Sequence, residues 1–206
     1  MSDPARRSPL LKPEWQYVEK VSLEDFVPAD WGVLDSQRAV FHAEQQAHHV
    51  LRVLADSKDD PTFGYMVNNY RHGLQSATMA LRDGLDEEDV VVALLHDVGF
   101  TTCPAMHGEF AAALLGAYVS ERNYWMLRHH QIFQQVHSPS QPDCNPHARE
   151  QWRGHPHFEW TAEFVAKYDQ AATDPDYDCL PLEVFEPMVK SIFARPQRRP
   201  AGLPQG

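Results

Sequence analysis

Apolar residues return every three or four positions along most of this chain, and strict apolar–polar alternation is nearly absent. That period predicts helices rather than strands. Residues 36–56 hold few breakers and read as a helix. A second spans 62–83 and ends near Gly84. Asp86, followed by Asp89, is an N-cap arrangement for a helix over 87–98, which Gly99 stops. HGEFAAALLGAY, 107–118, is a fourth helix, and Ser120 with Glu121 opens a fifth that reaches about Gln134. Residues 137–156 are rich in Pro, Ser and Asn and read as loop. A helix over 157–172 follows, and Pro181 suits the first residue of a last helix to about Ala194. The fold class this predicts is all-α.

Residues 1–35 carry Pro4, Pro9, Pro13 and Pro28 without clean periodicity. They read as an extended N-terminal arm packed on the domain, with a disordered tip. Residues 195–206 read as a disordered tail. Between them, 36–194 forms one domain, with no internal repeat.

Composition narrows the possible functions. The net charge of -11 argues against nucleic acid as a partner, since phosphate binding needs a Lys/Arg face. No apolar run is long enough to cross a membrane, and the start lacks a secretory leader. Cys103, Cys144 and Cys179 show no CxxC spacing, which fits a reducing cytoplasm better than a disulfide framework. The twelve histidines are the informative count, because many fall between His72 and His157.

His96 and Asp97 end the most apolar segment, VVVALLHDVG. Burying an imidazole and a carboxylate there is costly unless something compensates, and a divalent cation is the simplest compensation. Alone, the pair also fits a capping His beside a salt-bridged Asp. His72 lies mid-helix on a face with Gln75, Ser76 and Met79. Asp169 continues the stripe Phe158, Ala162, Val165. Three separate helices thus each aim metal-type ligands inward.

This order of residues resembles the HD superfamily of metal-dependent helical proteins, most of which are phosphohydrolases. RHGLQSATMALRDG, VVALLHDVG, MHGEFAA, RHHQIF and FVAKYD resemble a narrower branch, the mixed-valence diiron oxygenases. That branch includes myo-inositol oxygenase and oxygenases that cleave 1-hydroxyalkylphosphonates. The likeness runs over about residues 60–194. It implies an HD-type helical bundle with the metal ligands His72, His96, Asp97, His107, His130 and Asp169. Asp97 would be the bridging ligand between two irons. His72, His96 and Asp169 would complete one site, and His107 with His130 the other. Periodicity alone does not separate His129 from His130; the family pattern favours His130.

The resemblance further implies an Fe(II)/Fe(III) pair, O2 as co-substrate, and oxidative cleavage of a C–C or C–P bond in a small hydroxylated substrate, a 1-hydroxyalkylphosphonate among the options. The alternatives are an HD phosphohydrolase, with a metal-activated hydroxide in the same pocket, and a non-catalytic metal-binding module. The chain departs from the pattern at two substrate-holding positions. Phe100 stands where relatives carry Lys or His, and Gln134 replaces a Lys. Tyr65 stands near the place of a Glu, where it would either cap an iron until substrate arrives or pack in the core; packing is the expectation. Arg149 and Arg153 are candidates to clamp an anionic substrate group. Gln75 is a candidate for the pocket and for holding the second nitrogen of a ligating His.

Overall fold

The computed structural model describes residues 8–200. Among them every regular element is helical. Seven α-helices run in the order α1 (Pro28–Asp56), α2 (Asn69–Arg82), α3 (Glu87–Leu95), α4 (His107–Leu115), α5 (Glu121–Gln134), α6 (Phe158–Phe164) and α7 (Leu182–Phe193). A π turn, Val165–Asp169, continues α6. None of the helices is long and apolar enough to cross a membrane.

The chain divides into two compact units, Met1–Gln46 and Ala47–Gly206. In the first, residues 8–27 double back along the start of α1. Gln16 and Gln37 exchange hydrogen bonds, at 2.6 and 3.1 Å, and Lys20 pairs with Asp30 at 2.6 Å. The helix begins at Pro28, eight residues before its predicted start. Pro28 brings a preset φ to the first turn, and Asp30 accepts the Val27 N–H at 2.8 Å. The expected disordered tip at residues 1–7 lies outside the described residues.

The second unit holds the core. α2 packs on α3, α4 on α5, and α5 on α6, while α7 lies against α3. Val90 to Leu95 are all sealed from solvent, which explains why that segment is apolar on every face. Boundaries follow local chemistry. α2 starts at Asn69 rather than 62, because Phe63 and Gly64 take positive φ of 55° and 100°. Asn68 then caps the helix, accepting the Arg71 N–H at 3.0 Å. α2 ends as predicted: Gly84 has φ 78°, and the Leu85 N–H reaches back to the Ala80 carbonyl at 3.1 Å. α3 stops at Leu95, and residues 96–103 continue as turns.

The expected tail is in fact pinned as far as Arg198. Arg195 pairs with Glu88 at 2.6 Å, and the Arg198 N–H bonds the Ala117 carbonyl at 2.8 Å. Arg198 also pairs with Glu121. Residues 201–206 lie outside the described residues.

Candidate metal centre

Each ligand-type side chain is delivered by a different piece of backbone. His72 sits in the first turn of α2, His96 and Asp97 follow α3, His107 opens α4, His130 lies in the last turn of α5, and Asp169 ends the π turn. The π turn matters locally. The Gln170 N–H bonds the Val165 carbonyl, five residues back, at 3.0 Å. The extra residue per turn rotates Asp169 relative to a regular helix, a distortion frequent at functional sites.

Two glycines set the helix separations. A Cβ on Gly73 would lie 2.6 Å from the Leu94 carbonyl oxygen, and one on Gly108 would lie 2.6 Å from that of Leu127. Each glycine directly follows a ligand histidine. Close approach of α2 to the end of α3 brings His72 to His96, and close approach of α4 to α5 brings His107 to His130.

The Nε2 atoms of His72 and His96 are 3.1 Å apart, and those of His107 and His130 are also 3.1 Å apart. All four histidines commit Nδ1 to a backbone carbonyl. The partners are Ala172 (3.0 Å), Ala93 (2.8 Å), Pro104 (3.0 Å) and Leu127 (2.7 Å) for His72, His96, His107 and His130. Nδ1 therefore donates, and a neutral ring points its Nε2 lone pair into the cluster. Lone pairs aimed at each other at this distance repel unless a proton or a cation lies between them.

Asp97 spans the two histidine pairs. Its Oδ1 is 3.0 Å from His107 Nε2 and 3.1 Å from His130 Nε2, and its Oδ2 is 3.6 Å from His72 Nε2. Asp169 Oδ1 lies 3.8 Å from both His72 and His96, while its Oδ2 is buried with no hydrogen-bond partner. Among the described residues, Asp97 and Asp169 pair only with histidines, so no arginine or lysine neutralises them. His72, His96 and Asp169 form one group that could hold a metal ion. His96, Asp97 and His130 form another, and His107 lies against its Asp97 and His130. His96 belongs to both groups, 3.1 Å from His72 and 3.8 Å from both Asp97 Oδ1 and Asp169 Oδ1.

The edges bear on the coordination geometry the groups could offer. Ligand atoms at about 2.1 Å from a metal, placed at right angles, are about 3.0 Å apart, whereas a tetrahedron spreads them to about 3.4 Å. The triangle of His107, His130 and Asp97 has edges of 3.0, 3.1 and 3.1 Å. It fits one face of an octahedron. The first group is more open, with edges of 3.1 and 3.8 Å.

Protonation follows the same geometry. Burial would lower the His96 pKa, but Asp97 and Asp169 outweigh it and push the value up to about 9. Burial and the neighbouring His96 push His72 down. The opposite directions fit one proton held on His96 within the pair. Burial would raise Asp97, yet His96, His107 and His130 hold it well below the usual carboxylate range. Asp169 is likewise lowered against burial, chiefly by His96.

The structure brings all six predicted ligands to one place. His130, not His129, faces the cluster; His129 turns its Nδ1 to the Trp125 carbonyl at 2.7 Å and stacks on the Trp125 ring. Gln134 lines the cavity at the metal groups, beside Asp97, Asp169 and Phe100. Three other expectations need correction. Gln75 does not hold His72, whose Nδ1 is taken by Ala172; Gln75 is sealed inside the protein with both amide atoms unpaired. Arg153 pairs with Glu150 and Glu159 and covers Phe158, and Arg149 lies over Phe133 and Phe158. Neither lines the cavity, so neither clamps a substrate there. Tyr65 is 65% exposed and lines the cavity mouth instead of packing in the core. The left-handed turn at Phe63–Gly64, which carries Tyr65 outward, has only Gly64 as its sequence signal. No protein-family model matches the chain, and no curated protein matches it.

Proposed function

We propose that the chain is an HD-type mixed-valence diiron oxygenase, which uses O2 to cleave a C–C or C–P bond of a small hydroxylated substrate. The observation that carries this reading is Asp97, whose carboxylate lies 3.0–3.8 Å from all four histidine Nε2 atoms, with Oδ1 toward His96, His107 and His130 and Oδ2 toward His72. Each half offers two imidazoles and a carboxylate, the donor set of non-haem iron, and too few ligands to fill an octahedron. Two irons held there would supply binding and activation of dioxygen and of a substrate hydroxyl.

The chain's own residues prepare that chemistry. The four Nδ1–carbonyl bonds fix the tautomers and ring planes before any ion arrives. Asn69 holds the Asp97 backbone carbonyl at 2.8 Å, which steadies the bridging residue. Phe100 stands over His107, with ring centroids 5.5 Å apart, and shields that side of the site from water. Tyr65 and Gln134 border the open side, where substrate enters.

Metal analysis joined to electron paramagnetic resonance tests the reading. The expected result is two irons per chain and, after partial reduction, the signal of an antiferromagnetically coupled Fe(II)/Fe(III) pair. Manganese or magnesium with phosphatase activity, and no coupled iron signal, would establish the hydrolase instead.

A further inference from the structure

The smaller hollow at the metal groups, of about 140 Å³, is lined by side chains of two kinds. His72, Asp97 and Asp169 are ligand-type, whereas Phe63, Tyr65, Val67 and Phe100 are apolar or aromatic. The amides on the same wall are largely committed to the protein. Asn68 donates to the Lys58 and Asp60 carbonyls, at 2.8 and 3.1 Å, and its Oδ1 accepts the Arg71 N–H at 3.0 Å. Asn69 donates to the Asp97 carbonyl at 2.8 Å. The apolar part comes from two pieces of backbone. Phe63 holds φ 55°, a left-handed conformation that bulky side chains rarely adopt, and Gly64 follows at 100°. That turn leaves Phe63 64% and Tyr65 65% exposed, both on the cavity wall. Phe100 closes the other side, its ring centroid 5.5 Å from that of His107, so the apolar wall comes within one ring of the metal ligands.

Backbone strain and exposed apolar surface both cost stability, and both gather where a chain is shaped to receive a ligand. Here the two coincide at the mouth of the cavity that holds the metal groups. A ligand group reaching this wall exchanges water for aromatic rings and a valine, which favours alkyl or aryl carbon over hydroxyls. We propose that Phe63, Val67 and Phe100 are specificity residues: they receive an apolar alkyl or aryl substituent, carried on or next to the hydroxyl-bearing carbon of the substrate. The proposal rests on the oxygenase reading, in which the substrate hydroxyl lies at the metals. The charge of the head group is a separate matter, because the metal ions meet it.

The test is a titration of the iron-loaded protein with two matched pairs, followed by the change in the iron spectrum. The pairs are glycolate with mandelate, and hydroxymethylphosphonate with hydroxy(phenyl)methylphosphonate. Within each pair the hydroxyl and the head group are the same, and only the phenyl ring differs. The phenyl member is expected to bind about tenfold more tightly or better, the gain from burying much of a ring. Phe63→Asn keeps a residue that tolerates the left-handed backbone and removes the ring. It should cut the ratio about threefold or more, and so should Phe100→Ala. Because Phe63 is exposed, its variant keeps the test open if Phe100→Ala does not fold. Equal or weaker binding of the phenyl members overturns the proposal, as does no binding of them, or a ratio that neither variant lowers. Iron content is measured on the same samples. Two irons without a preference for the phenyl members defeats the substrate class alone, whereas failure to load two irons defeats the oxygenase reading and the proposal with it.

Discussion

Asp97 and His96 carry the account at the scale of single residues. The Asp97 carboxylate lies against histidines of both pairs, so Asp97→Asn should disturb both halves at once. It replaces a carboxylate oxygen with an amide donor aimed at histidine nitrogens or at a cation. The expected outcome is loss of at least one metal ion per chain, read by elemental analysis; full occupancy would count against the bridging role. His96 makes a pH prediction. Its pKa of about 9 means that the metal-free protein carries a proton there at neutral pH. The elevated value stabilises the metal-free fold below the ordinary histidine pKa of about 6.5, and that contribution fades as pH rises toward 9. A metal must displace the same proton, so apparent metal affinity should climb with pH up to about 9. Calorimetry at pH 7 in buffers of different ionisation enthalpy should register about one proton released per chain on loading. His72, His96, Asp97 and Asp169 were legible as candidate ligands in the sequence, because imidazoles and carboxylates on apolar segments need partners; His107 and His130 came from the family resemblance. Periodicity did not separate His130 from His129, since both lie on half-apolar faces; the family pattern favoured His130. In the structure His130 turns toward Asp97 and His107, whereas His129 bonds the Trp125 carbonyl and stacks on its ring.

Among the elements, the packing of α4 on α5 is the most exposed to test. Gly108→Ala would place a methyl group 2.6 Å from the Leu127 carbonyl oxygen, against backbone that cannot yield by turning a side chain. The same methyl would lie 3.1 Å from His130 Cε1. The helices must separate, at a cost of about 1–3 kcal/mol. Chemical denaturation should show that loss, and the loading of the His107–His130 half should fall with it. Unchanged stability and loading would mean that the glycine does not set the His107–His130 distance. Helix identity was readable from periodicity, and Asp86 and Ser120 act as the caps expected. The boundaries that differed were decided by features with weak sequence signals. The left-handed turn at Phe63 and Gly64 delays α2, and Asp30 reaches back to start α1 early. The glycines at 73 and 108 were visible as His-Gly pairs. Their role depends on which helices approach, which no local pattern states.

For the molecule as a whole, the unit Ala47–Gly206 contains both the core and every ligand. Two buried carboxylates with no lysine or arginine partner, and with the His96 proton between them, leave this unit short of positive charge until metal arrives. Ions that bind the folded chain and not the unfolded one stabilise it by mass action, about 4 kcal/mol when free metal exceeds Kd a thousandfold. Chelation should therefore lower Tm by several degrees, readable by calorimetry and reversed by adding iron back; an unchanged Tm would mean that the cluster is neutralised some other way. The region before Ala47 was less legible. Its prolines suggested an arm up to residue 35, whereas α1 begins at Pro28. The chain after Ala194 was read as a tail from its Pro and Arg content, but Arg195 and Arg198 find Glu88 and Glu121, which lie far away in sequence. The measurement that bears most directly on the central claim is anomalous diffraction from crystals of the iron-loaded protein, recorded on both sides of the iron edge. It should show two peaks about 3.5–4 Å apart, flanking the Asp97 carboxylate, with His72, His96 and Asp169 around one and His107 and His130 around the other. A single peak, or none with Asp97 held only by protonated histidines, would contradict it.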